Sequence, residues 1–155
     1  MTIEDDIAFL SQVPVLRRLG APALRILAIG AEAYSLEAGQ VLFAAGDAAD
    51  CAYVVQQGSF QITPERTADA DLIAEPGSLL GEGALLVQSP RLATATARED
   101  AVVLRISRTM FLRMLDSYPE AAQRLRELLA SRAHQWAREM DNVRTTLARN
   151  TGPRS

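Results

Sequence analysis

The sequence predicts an α+β chain with short helices first, then a roll or barrel of short strands, then two helices of which the second is long. Three observations carry this. Apolar residues recur at helical spacing up to residue 29; brief apolar or alternating runs separated by turn signals follow from about residue 33; and Glu120 to Ala148 holds neither Gly nor Pro. With 155 residues, 48% hydrophobic and 23% charged, the chain suits one globular domain plus an appended helix.

In chain order, residues 4 to 29 read as short helices broken by Pro14 and Pro22, with Ile7, Leu10 and Val13, then Leu24, Leu27 and Ala28, on the inner faces. Strands follow at Tyr34 to Leu36, Val41 to Ala44, Ala52 to Gln56 and Phe60 to Thr63, punctuated by Gly39, Gly46-Asp47 and Gln57-Gly58. Residues 64 to 70 form a polar loop. Leu72 to Ala74 returns as a strand before the turn Glu75-Pro76-Gly77. Leu92 to Arg98 and Ala101 to Ile106 alternate with period two across Glu99-Asp100, which reads as a hairpin tip.

Ser107 is the N-cap of a helix from Arg108 to about Leu115, its hydroxyl accepting from a first-turn amide. Pro119 opens the last helix, roughly 40 Å long at 1.5 Å per residue. Its apolar positions Ala122, Leu125, Leu129, Trp136, Met140, Val143 and Leu147 step by three, four or seven, the seam of a coiled coil or helix pair, interrupted by Arg132. The chain divides near residue 119, into 1–118 and a helix with a short tail over 119–155.

Charge and composition exclude several classes. The net charge is −3, but residues 1 to 106 hold 7 Arg against 14 Asp+Glu and residues 107 to 155 hold 9 Arg against 5, so only the tail is basic. All 16 basic residues are arginine, which reads first as codon bias. One cysteine, Cys51, and one histidine, His134, cannot assemble an internal disulfide, a zinc site or an iron–sulfur site, so no metal is expected. Cys51 reads as a small buried thiol and His134 as a solvated or interface residue. The acidic start, Met1 to Asp6, is unlike a signal peptide, and no apolar run reaches roughly 18 residues, so a cytoplasmic protein away from membranes is expected. No nucleophile, histidine and carboxylate set is present, so no enzyme is expected.

The chemistry concentrates in "LLGEGALLVQSPRLATATA", residues 79 to 97. Gly81 and Gly83 allow close backbone approaches, and Ala84-Leu85-Leu86 can form a helical turn whose amides face outward. Arg91, behind Pro90, offers a planar two-pronged donor to phosphate oxygens. Glu82 would repel a phosphate but accepts from hydroxyls, so a sugar phosphate satisfies both. Spacing alone leaves a second reading open: a structural Glu82–Arg91 ion pair across a loop.

Gly81-Glu82-Gly83-Ala84-Leu85-Leu86, a spacer ending in Pro90, and Arg91-Leu92-Ala93-Thr94 resemble the phosphate-binding cassette of cyclic nucleotide-binding domains, Gly-Glu-Leu-Ala-Leu, spacer, Pro-Arg-Ala-Ala-Thr. The register matches without gaps. Leu36 to Phe43, Gly46-Asp47 and Ala52 to Gly58 are similar to the first β-hairpins of that family, whose members include catabolite activator proteins and kinase regulatory subunits, and the likeness covers roughly residues 8 to 145. It implies an antiparallel, jelly-roll-like β-roll with N-terminal helices and two C-terminal helices acting as hinge and lid.

The resemblance further implies that Glu82 accepts from a ribose 2′-hydroxyl, that Arg91 pairs with the cyclic phosphate, and that amides at Gly83, Ala84 and Leu92 complete the anion's shell, with Gly81 and Ala93 in the same set. Gly83 stands for the usual leucine or isoleucine, and Leu92 for a small residue, where it would crowd the pocket. The hydroxyl that favours guanine in some relatives is missing there, so cyclic AMP is expected before cyclic GMP. Trp136 reads as seam packing or as an aromatic lid over the purine. The chain is expected to be a sensor that acts on an effector protein of unknown identity through its C-terminal helices, as a homodimer along 122–147. Too few residues follow residue 148 for a helix-turn-helix domain, so no DNA is expected; no cofactor is expected beyond the ligand itself. The alternative is a dimeric scaffold of the same fold with an unused pocket.

Overall fold

The structure, a computed structural model, describes residues 2–65, 71–128 and 130. Three helices lead, α1 (Ile3–Leu10), α2 (Pro14–Arg17) and α3 (Ala21–Gly30). A capping box opens α1, with the Asp5 amide donating to Thr2 Oγ1 at 3.2 Å and the Thr2 amide to Asp5 Oδ2 at 3.1 Å. Pro14 and Pro22 each sit in the first turn of the helix that follows, where a missing N–H costs nothing.

Then come β1 (Glu32–Leu36), β2 (Val41–Phe43), β3 (Ala48–Ala49), β4 (Cys51–Gln57), β5 (Phe60–Pro64), β6 (Leu72–Ala74), β7 (Leu79–Leu80), β8 (Ser89–Pro90), β9 (Ala93–Ala97) and β10 (Ala101–Ser107). After them stand α4 (Arg108–Ser117) and α5, over 119–128. Ser107 caps α4 as expected, its hydroxyl accepting from the Met110 amide at 3.2 Å. The strands form two four-stranded antiparallel sheets, β1-β10-β4-β7 and β2-β9-β5-β6, and a ribbon β3-β8.

The central strands of the first sheet, β10 and β4, are covered on both faces. Ala52, Val54, Leu104 and Ile106 join Leu10, Leu16, Leu27, Phe111 and Met114 in a core under the helices. Val55, Ala101 and Val103 join Phe60, Ala95 and Ala97 in a second core between the sheets. This explains the nearly continuous apolar runs of β4 and β10, since a strand buried on both faces has no polar face to alternate with. The alternation expected over Ala101 to Ile106 is further broken by a register shift between Val102 and Val103.

The turns proved to be corners rather than hairpins. β4 and β5 meet at Gly58, and β9 and β10 at Glu99-Asp100, but the members of each pair lie in different sheets, as do β1 and β2. The corners pack on one another: Gly58 has φ +79, and a Cβ there would lie 2.7 Å from the Asp100 carbonyl oxygen. Asp100 Oδ1 accepts from the Ala38 amide at 3.2 Å, and the Gly39 amide donates to the Ala97 carbonyl at 2.7 Å.

Residues up to 128 share the helical core, for Ala121 and Leu125 are buried in it. Leu125, expected on an intermolecular seam, is therefore turned into the chain's own interior. Trp136, His134, Arg132 and the seam positions from Leu129 to Leu147 lie outside the described residues, as do residues 66–70 of the polar loop.

Candidate ligand-binding site

β7 delivers the chain to Gly81, whose φ of +74 lies in the left-handed region that favours glycine. A 3-10 turn, Glu82–Leu85, follows, with Ala84 and Leu85 buried and Leu85 inserted into the helical core. Opposite it, the two residues of β8 pair with β3, and the Arg91 amide donates to the Asp47 carbonyl at 2.8 Å while its own carbonyl accepts from Gly46 at 2.8 Å. Thr94 Oγ1 accepts from the Ala45 amide at 2.9 Å and pins the same loop. Arg91 is thus fixed by its backbone before its side chain makes any contact.

That side chain is only 6% exposed. Its Nη2 donates to Cys51 Sγ at 3.3 Å, and its guanidinium carbon lies 4.4 Å from the centre of the Phe43 ring and 5.7 Å from that of Tyr53. Phe43 and Tyr53 are stacked with centroids 6.0 Å apart. Burial first, then the hydrogen bond to Cys51, pushes the Tyr53 phenol up to about 12, so it stays a neutral wall at ordinary pH. A side chain at Gly81 would overlap Arg91 Nη1. Nη1 is buried with no hydrogen-bond partner among the described residues.

Arg91 and the turn line one cavity of about 470 Å³. Gly81, Glu82, Gly83, Ala84, Arg91, Leu92 and Ala93, all expected from the sequence, border it together, with Phe43, Ile62, Leu72 and Ile73 supplying an apolar wall. Trp136 lies outside the described residues. The volume suits a small organic ligand. A guanidinium nitrogen left without a partner in such a place is a costly arrangement that an anionic oxygen would relieve.

Four expectations need correction. The Ala84 amide is already used, donating to the Gly81 carbonyl at 3.1 Å within the 3-10 turn, so it is not on offer to an anion. Gly83 is not required by space, since a Cβ there would meet nothing within 4 Å and its φ is not positive. Leu92 does not fill the cavity: at 78% exposed it stands at the rim. Arg91 is also less of a two-pronged donor than expected, because Nη2 is engaged by sulfur.

Phe43, Cys51 and Tyr53 are not among the site residues the sequence suggests, and no local signal marks them, because they are ordinary strand positions until strands some forty residues apart are stacked. No cluster of three metal-ligating side chains occurs among the described residues, and no helix among them is long and apolar enough to cross a membrane.

Comparison with known proteins gives the same picture. The family model for the cyclic nucleotide-binding domain matches residues 34–118. A cAMP-dependent protein kinase regulatory subunit of Yarrowia lipolytica is 32% identical over 107 residues, 69% of this chain and 28% of that protein. The solved structure of a cyclic nucleotide-binding-like protein from Brucella abortus superposes with a TM-score of 0.64 at 39% identity, covering 72% of this chain and 98% of that one. That of the Thermus thermophilus catabolite activator protein gives 0.71 at 26% identity, covering 88% and 66%. The chain spans from about a fifth to about half the length of the curated relatives it matches. Since the matched segment holds all the strands and the turn that build the cavity, this chain belongs to the cyclic nucleotide-binding domain family.

Proposed function

We propose that this chain binds a cyclic nucleotide, cyclic AMP in preference to cyclic GMP, in the cavity beside Arg91. The carrying observation is the buried, partnerless Nη1 of Arg91 on the wall it shares with Glu82. Nη1 donates to the cyclic phosphate, Glu82 accepts from the ribose 2′-hydroxyl, and the purine lies along the apolar wall of Ile62, Leu72 and Ile73. Leu92 brings no hydroxyl to select guanine. No bond is made or broken, so the protein acts by differential affinity: the nucleotide favours whichever arrangement of α4 and α5 it binds better.

The domain of residues 1–118 is the receptor, and the segment 119–155, a long helix with a short tail, passes the event to an effector protein and pairs two chains along 122–147 in the cytoplasm. Light scattering that gives a monomer at high concentration, with and without nucleotide, removes the pairing.

Titration calorimetry tests the binding. Cyclic AMP binds the wild-type protein, and Arg91→Ala costs about 2–5 kcal/mol, roughly 30-fold or more in affinity, while Glu82→Gln costs less. Unchanged affinity in Arg91→Ala removes the assignment. A thermal-shift panel of cyclic mononucleotides and dinucleotides that moves nothing favours a scaffold with an unused pocket.

A further inference from the structure

We infer that Cys51 is a positioning residue for Arg91, engaging Nη2 so that Nη1 is the nitrogen left for the ligand; the inference rests on the reading of the cavity as a cyclic nucleotide site. Three of the neighbours of Arg91 have separate effects. Phe43 lies under the flat face of the guanidinium at 4.4 Å and fixes its plane. Gly81 leaves room for Nη1, and no side chain would fit in its stead. Cys51 takes Nη2 at 3.3 Å and fixes rotation within the plane. Remove the sulfur, and the plane still lies on Phe43, but Nη2 has no acceptor to fix the rotation of the guanidinium within that plane.

The choice of sulfur matters. A carboxylate on this strand end would pair with the guanidinium and compete with the phosphate for it, since the attraction between full charges rises steeply inside a protein. A thiol is a weak acceptor that orients the group while leaving its charge for the ligand. Asp50, one residue earlier, is directed elsewhere: its Oδ1 lies 3.5 Å from Arg105 Nη2 and its side chain is largely exposed. Cys51 itself is 2% exposed and keeps its place from the central strand β4, so the seat is as rigid as the sheet.

The test measures cyclic AMP affinity of the full chain by calorimetry together with the Arg91 side-chain nitrogen spectrum. Cys51→Ala lowers affinity roughly 3- to 10-fold, the usual worth of one hydrogen bond. Cys51→Ser, which nearly conserves volume and keeps an acceptor, stays within about 2-fold of wild type. On an Arg91→Lys background, where no fork remains to be aimed, Cys51→Ala causes no further loss. In the nucleotide-free protein the Arg91 Nη signals are separate, and Cys51→Ala merges them as rotation speeds up.

Equal losses in the alanine and serine variants, or the same loss on the lysine background, would mean that Cys51 only packs, and the inference falls. Unchanged affinity in Cys51→Ala also overturns it, while the cyclic nucleotide reading stands. If the wild-type protein binds no cyclic nucleotide the functional reading fails and the ligand role with it. The nitrogen spectra then still report whether Cys51 holds Arg91.

Discussion

Gly81 and Gly83 stand two residues apart in the sequence and read alike there, yet they do different things. Gly81 has a left-handed backbone, and any side chain on it would collide with Arg91 Nη1. Gly81→Ala should therefore cost about 1–2 kcal/mol in strain alone, before the displaced arginine is counted. Urea unfolding measures the first effect and nucleotide titration the second, and the variant should lose on both. Gly83 has open space and an ordinary φ, so Gly83→Ala should stabilise by about 0.4–1 kcal/mol through the unfolded chain. A loss of stability there would mean that the turn depends on glycine after all. The motif was legible because it is contiguous. The partners of Arg91 were not, since Phe43, Cys51 and Tyr53 reach it from β2 and β4 and acquire a role only when the two sheets meet.

The helix α4 was equally legible at its cap and illegible at its anchor. Ser107 announces the helix start, and Ser107→Ala should cost about 1 kcal/mol. Arg108, the next residue, reads as an ordinary first-turn side chain. Its Nη2 nonetheless donates to the Ala49 carbonyl at 2.7 Å and its amide to the Asp50 carbonyl at 2.8 Å, so α4 is tied to the segment that carries Ala49 on the cavity wall and Cys51 beneath Arg91. Arg108→Met keeps much of the stem and loses a charge-assisted bond, for an expected cost of about 1.5–3 kcal/mol in chemical denaturation. A change below about 0.5 kcal/mol would mean that water replaces the bond at no loss. Among strands, those with three or more patterned residues could be read, whereas β3, β7 and β8 have two residues each and no period to detect. Turn chemistry at Gly58 and Glu99-Asp100 says that the chain turns. It is silent on whether the next strand pairs with the last or leaves for the other sheet.

Over the whole molecule, the two cores are not independent, because β4 and β10 contribute to both. Leu85 strengthens the link, for it leaves the turn that borders the cavity and is buried among residues of the helices, in the same core as Phe111, Met114 and Leu125. A roll and a helical layer that share a sheet should unfold together, and ligand bound in the roll should then protect the helices as well. At cyclic AMP 100 times its dissociation constant the native state gains about 2.7 kcal/mol, which corresponds to roughly 100-fold slower exchange of every amide that exchanges only through global unfolding. Hydrogen exchange should show that slowing in α3 and α4 as much as in β4 and β10. Slowing confined to the strands would mean that the helices open on their own, and a nucleotide in the cavity would then have no rigid path to them. Leu85→Ala separates the two cases: it should cost about 2–5 kcal/mol of stability as a cavity in the helical core, and in one cooperative unit that loss accelerates exchange in strands and helices alike.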